Sequence, residues 1–465
     1  MRFIWIFLLP IALFGKPKGH KVVEGTAKVQ EIGSTMEIQT SDRAIINWEE
    51  FSIRVGETTR FVQPSTTSAV LNRVANGASH IDGLLEANGR IYLLNPNGVL
   101  IGPTGNIQAE SFIASTLDFD NEDFFKDREL LFKGDSKERI VNLGKIAALG
   151  GDVFLLAKAV VNEGSLQAKE GIVGIAAGEE ILLKPGGMQR LFIAPKLKEA
   201  ERGDGGIENQ GLIEAAIAEL RADGNAFRFA INQSGVVEAN GTKSENGRVF
   251  LVADGGTSAN LGTILAPGGK VHILGEQIGV NEGGKVDVSS DRGGGEVLIG
   301  GDFQGKNPDI QNAKMSVVMK GAEICANAYQ EGDGGKIIIW SDEATIMEGE
   351  LYARGGPDGG DGGFMEVSSA GNLSYNGFAC GQAPLGKSGQ LLLDPSDITI
   401  ENIALNDGIA FSLGTFSATK AIAKLATVTP ADSLQDTLQG GGVDVTVTTS
   451  SSFASAGNIF FNDPI

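Results

Sequence analysis

The sequence predicts an all-β chain wound as a right-handed parallel β-helix, a solenoid with extra-helical hairpins and one short decorating helix. Three observations carry this reading. Glycine supplies 66 of 465 residues, about twice its usual share, while proline supplies 14. Short segments alternate apolar and polar residues in the period of a strand, and helical or leucine-rich spacing does not recur. Above all, one pattern returns along the chain at coil-sized intervals.

That pattern is Asn-x-Gly-x-aliphatic-x-Ala. It runs through Asn142, Gly144, Ile146 and Ala148, then through Asn162, Gly164, Leu166 and Ala168. It returns at Asn209, Gly211, Ile213 and Ala215 and at Asn260, Gly262, Ile264 and Ala266, with a looser copy at Asn232, Gly235, Val237 and Ala239. The successive asparagines lie 20, 47, 23 and 28 residues apart. Reading 47 as two units gives a repeat of roughly 20–25 residues. A second pattern, Gly-Gly-x-apolar-x-apolar, begins at Gly268, Gly283, Gly334 and Gly362. In both, glycine is expected to turn the chain with positive φ, and a short strand follows. Asparagines stacked on successive coils can hydrogen-bond as a ladder. About 20 coils spaced by roughly 4.8 Å would make a rod of about 95 Å.

Taken in chain order, residues 1–15 read as a secretory signal peptide. Met1-Arg2 is cationic and residues 3–14 are apolar, too short for the roughly 20 residues of a membrane span. Residues 16–134 hold blocks unlike the later repeats, and residues 135–465 read as a repetitive rod. The charged run 196–204 is expected to loop out, and Ile213, Ile217 and Leu220 are spaced for a short helix. Near the end, Asp444 to Thr448 and Asn458 to Phe461 read as strands of new coils with no amphipathic helix to plug them. The expectation is a rod truncated at its C-terminus.

Composition narrows the function. Lys plus Arg is 38 against 58 Asp plus Glu, a net charge of −20, which disfavours nucleic acid and anionic lipid as partners. Three histidines and two distant cysteines, Cys325 and Cys380, offer no metal set, cofactor site or Cys-His pair. Asp302, Asp333, Asp342, Asp358 and Asp361 are the acidic candidates for catalysis, but each lies beside glycine or serine, where aspartate usually supports a turn. The stretch from Gly355 to Asp361 is similar to calcium-binding glycine-aspartate repeats, yet it does not recur in tandem. No enzyme and no cofactor are expected. The two cysteines, read as two coils apart, should be free thiols.

The corner Asn95-Pro96-Asn97-Gly98 has the residues of a type I turn, flanked by the alternating Ile91, Leu93, Val99 and Ile101. It is read first as a structural corner, on which secretion depends through folding.

Residues from about 18 to 120 resemble the export domain of two-partner-secretion exoproteins, the filamentous haemagglutinin family. The matching blocks are Ala44-Ile45-Ile46-Asn47-Trp48, Phe51-Ser52-Ile53, Phe61-Val62-Gln63-Pro64-Ser65 and Val70-Leu71-Asn72-Arg73-Val74. They continue through Ile81-Asp82-Gly83, Ala87-Asn88-Gly89, Leu94-Asn95-Pro96-Asn97-Gly98-Val99 and Ala114-Ser115-Thr116-Leu117. Gly360-Asp361-Gly362-Gly363-Phe364 and Leu391-Leu392-Leu393-Asp394-Pro395 resemble rod segments of that family. An Asn-Pro-Asn-Leu block found in some members is absent. The resemblance implies export through the periplasm by an outer-membrane transporter with periplasmic recognition domains, without stable membrane insertion. It implies a secreted or cell-surface adhesin, or its N-terminal part, that meets a receptor on a host or neighbouring cell. Asn72, Arg73, Asn95, Pro96, Asn97 and Gly98 are the candidate secretion motif. Two alternatives stand beside it, the export-and-stalk part of a contact-dependent toxin and a β-helical carbohydrate-active enzyme.

Overall fold

A computed structural model describes residues 15–394 apart from 127, 188, 194–205, 224–228 and 242–245, and beyond them 398–400, 409–412, 415–418, 426–428, 434–448 and 459–461. Residues 1–14 of the expected signal peptide and the run 196–204 lie outside the described residues.

The chain forms a three-faced parallel β-helix. One face shows its construction in a single column of partners. Ala44 lies beside Val70, Val70 beside Ile91, and Ile91 beside Phe112. The column goes on through Val153, Val173, Ala218, Val249, Val271, Val297, Ile337, Met365, Leu391 and Val445. All but the last are buried. Each is the inward residue of an alternating strand, and each covers the apolar surface of the coil before it. Among the described residues fourteen rungs stand on this face, a stack of roughly 60 Å at the usual strand spacing.

The described residues thus hold fewer coils than the expected 20, and the 47-residue interval explains part of the difference. Asn162 lies directly beside Asn209 in the ladder, so that interval is one coil with an excursion and not two units. The helix expected around Ile213 to Leu220 is also corrected. Those residues belong to the strand Leu212–Asp223, which bends from one face to the next and pairs in parallel with Ser165–Ala177, the register shifting between Ala168 and Ile172. The three-residue spacing arises at that bend, not from a helix.

Among the described residues two short α-helices occur elsewhere, at Asn121–Phe125 and Leu434–Gly440. The second buries Leu434 and Thr437 near the strand Phe378–Cys380, where Thr437 Oγ1 accepts from the Ala379 N–H at 3.2 Å. Three-residue spacing of one leucine and one threonine is too weak a signal to read as an amphipathic helix.

The glycines of the Asn-x-Gly pattern are required for a different reason from the expected one. Gly164, Gly211 and Gly262 are absent from the positive-φ glycines. Instead a Cβ at Gly164 would stand 2.1 Å from the Gly144 carbonyl oxygen, and one at Gly211 would stand 2.1 Å from that of Gly164. Close approach between coils selects glycine there.

At the N-terminal end, Ala27–Ile32 and Thr35–Thr40 form an antiparallel hairpin, and Lys21–Glu24 runs antiparallel to Ala44–Trp48. These cover the first coil's edge. A lateral antiparallel sheet of Leu130–Lys133, Glu180–Leu183 and Leu191–Ile193 lies on the outside of the rod. Its Phe132, Ile181 and Leu191 pack on Phe154, Leu156 and Ile113, a second core outside the helix. Glu219 pins this sheet. Its buried carboxylate accepts from the Arg190 N–H at 2.8 Å and from Arg221 Nε at 2.9 Å. Burial pushes the Glu219 carboxyl above its ordinary range, against the pull of Arg221.

Candidate secretion motif

The six motif residues converge at one corner of two successive coils. Asn72 and Arg73 lie on the strand Ala69–Val74 opposite Leu93 and Leu94, and Asn95 follows at once. The Gly98 N–H donates to the Asn95 carbonyl at 3.0 Å, closing the turn. Gly98 has φ +99°, a conformation side-chain-bearing residues rarely adopt. Asn95 is fully buried. Its Nδ2 donates to the Gly77 carbonyl and to Ser79 Oγ, both at 3.0 Å, while its Oδ1 accepts the Asn97 N–H at 2.9 Å. Asn97 Nδ2 reaches the Ala75 carbonyl at 3.2 Å, tying the corner to the segment just after Arg73. Pro96 is exposed, and its carbonyl accepts from Ser136 Oγ at 2.7 Å.

Asn72 and Arg73 point to opposite sides of their strand. Asn72 is buried, accepts from Trp48 Nε1 at 2.9 Å and donates to the Tyr92 carbonyl at 3.2 Å. It therefore joins three successive coils. Arg73 faces outward and clamps the segment after the last strand of the family blocks. Its Nε donates to both Asp118 oxygens at 2.9 and 3.1 Å, Nη1 to Asn121 Oδ1 at 2.6 Å, and Nη2 to the Phe119 carbonyl at 2.8 Å. The guanidinium also lies 5.8 Å from the Phe119 ring centroid. Such a fork uses the planar donor geometry that lysine lacks. Asp118, Phe119 and Asn121 escaped the sequence reading, because nothing in a linear pattern pairs position 73 with position 118, and Trp48 enters it only within a family block.

Four of the five acidic candidates, Asp302, Asp333, Asp342 and Asp361, are engaged in hydrogen bonds within the rod. Asp333 Oδ1 accepts the Asp361 N–H at 2.7 Å, Asp361 Oδ1 the Lys387 N–H at 2.8 Å, and Asp342 Oδ1 the Trp340 Nε1 at 3.1 Å. Burial raises the Asp302 carboxyl, but hydrogen bonds from Asn307, Lys336 and the Phe303 N–H outweigh it and hold it at about 2.

A family model described as the TPS secretion domain matches residues 15–273. The chain belongs to the TPS secretion-domain family. Two heme/hemopexin-binding proteins of Haemophilus influenzae are similar to it, one 32% identical over 255 residues and the other 29% over 261. Each match takes in 51% of this chain and 27% or 28% of the relative, so the chain spans about a quarter of their length. The crystal structure of the HMW1 secretion domain from Haemophilus influenzae superposes with a TM-score of 0.66 at 30% identity, over 81% of this chain and all of that one. TPS domains belong to exoproteins that leave by way of the periplasm and an outer-membrane transporter and end secreted or on the cell surface. Among the described residues no helix is long and apolar enough to cross a membrane.

Proposed function

We propose that this chain directs its own export through a dedicated outer-membrane transporter with periplasmic recognition domains, and that the emerging rod serves as an adhesin or its N-terminal part. The observation that carries this is the TPS match over residues 15–273 on a β-helix whose N-terminal edge is already capped. Each coil contacts mainly its neighbours, so folding can follow threading coil by coil. Few cysteines and a net charge of −20 suit an unfolded periplasmic intermediate. The corner around Asn95 is proposed to act on secretion by holding the coils in register, since its side-chain groups are spent on internal hydrogen bonds. The role is recognition and attachment to a surface receptor, not catalysis. The relatives' haem or hemopexin binding is not carried over, because the match takes in only about a quarter of their length.

Co-expression with the cognate barrel tests this reading. The chain should reach the medium or cell surface with the barrel and stay periplasmic without it. Periplasmic retention beside a functional barrel overturns it.

A further inference from the structure

In a chain of net charge −20, five cationic side chains line one cavity of about 390 Å³ between the rod and the lateral sheet. They are Arg43, Arg90, Arg128, Lys184 and Arg190, and Asp123 is the one carboxylate among the described lining residues. Two more carboxylates stand nearby. Asp152 pairs with Arg190, and the exposed Glu129 lies 3.9 Å from Lys184. Among the described residues, five cations stand against these three carboxylates.

The guanidiniums are positioned by the fold. Arg90 begins a strand opposite Ala69, and its Nε and Nη2 both donate to the Thr67 carbonyl, which orients the group without neutralising it and engages that edge of the guanidinium. Arg43 holds φ +53°, a strained value for a residue with a side chain, and its Nη1 donates to the Phe124 carbonyl. Arg190 is turned inward by its bond to the Lys184 carbonyl at 2.7 Å. The remaining wall is apolar and aromatic, with the Tyr92 and Phe124 rings 5.4 Å apart and edge-to-face.

We propose that this cavity binds a small oxyanion ligand, a sugar-sized ring bearing a carboxylate, sulfate or phosphate. Guanidinium forks match the paired oxygens of such groups. The volume lies at the small end of the range for ligand sites, and an aromatic wall with a few convergent polar groups is their usual make-up. The site is separate from the Asn95 corner and does not depend on the export reading.

Calorimetric titration of the purified chain with glucuronate, glucose 6-phosphate, glucose 6-sulfate and glucose tests the proposal. At least one charged sugar should bind, which one identifying the oxyanion, and glucose should not. Raising salt should weaken binding. The double variant R128Q/K184Q removes two cations without touching the carbonyl contacts of Arg43 and Arg90. It should lower affinity at least about tenfold with an unchanged thermal midpoint, while Lys28→Gln on the distant hairpin changes nothing. The proposal is overturned if no charged sugar binds, if glucose binds equally well, or if R128Q/K184Q binds as the parent does.

Discussion

Asn162 Nδ2 donates to Asn209 Oδ1 at 2.7 Å, although 47 residues separate them. Above that pair, Asn142 Nδ2 donates to Asn162 Oδ1 at 2.8 Å, and below it Asn209 Nδ2 donates to Gln233 Oε1 at 2.5 Å. Four fully buried amides thus form one chain of donors and acceptors through four coils. Replacing Asn162 by leucine leaves the Asn209 oxygen buried without its donor and leaves Asn142 Nδ2 with only the Ser165 carbonyl at 3.5 Å. The expected loss is about 1–3 kcal/mol, the cost of one orphaned polar group and one weakened donor. Urea unfolding of Asn162→Leu measures it, and an unchanged midpoint would show that the ladder contributes nothing.

Arg73→Lys keeps the charge but cannot span Asp118, Asn121 and the Phe119 carbonyl together. The expected effect is loosening of residues 118–125 at a cost of about 1.5–3 kcal/mol, the worth of hydrogen bonds to a charged group. Hydrogen exchange should speed up in that segment and stay unchanged in the strand Val153–Ala157. Uniform exchange across both would refute the clamp.

An export module ending near residue 134 and one ending near 273 are both open to trial. The shorter fragment leaves Leu130 and Phe132 without Glu180–Leu183, their antiparallel partner, and strips Phe154 and Leu191 from the outer core. It should therefore bind a hydrophobic dye and be cleaved readily by protease, whereas the fragment 16–273 should resist. Equal resistance would show that the rod's first coils stand without the lateral sheet.

How much of this was legible in the sequence depends on distance along the chain. Local alternation and the Asn-x-Gly pattern gave the strands, the coil and the ladder, because each coil repeats the same demand on the same residue types. The looser copy at Asn232 was mistaken by one residue. The ladder member in that coil is Gln233, whose longer amide substitutes for asparagine, while Asn232 lies next to it. The lateral sheet was unreadable in detail because its strands come from two excursions about 50 residues apart and never share a repeat. The Asn72 to Gly98 corner was found as motifs, but the Arg73 clamp on Asp118 needed the fold.

Cys325 and Cys380 occupy one column with Tyr352 between them, two coils apart as the spacing implied. Both are free and buried. Burial pushes the Cys325 thiol far above its ordinary range, with Asp287 and Glu323 adding to the effect. Neither should react with a thiol reagent before unfolding, and the intact mass should show two free thiols. A mass two protons lower would contradict the register.

Glu296 and Glu366 belong to one outer face yet respond to pH in opposite directions. A hydrogen bond from His272 leads in holding Glu296 at about 2; burial opposes it, and Lys270 and Lys336 assist. Burial instead lifts Glu366 to about 7, with Asp394 adding repulsion and Ser368, the Gln304 N–H and Lys336 pulling it back. The signs follow by linkage. Glu296 is depressed, so its contribution is present above about 4.5 and disappears as pH falls toward 2. Glu366 is raised, so its contribution is full below about 4.5 and is lost as pH rises through 7. Glu366→Gln removes that loss. The variant's stability relative to the parent should climb by about 2–3 kcal/mol between pH 4.5 and 7.5, from a shift of roughly two units at 1.36 kcal/mol each. Urea midpoints taken across that interval decide it: parallel curves would mean that Glu366 ionises near its ordinary value and that Gln304, whose N–H it accepts at 3.2 Å, is held by a carboxylate throughout.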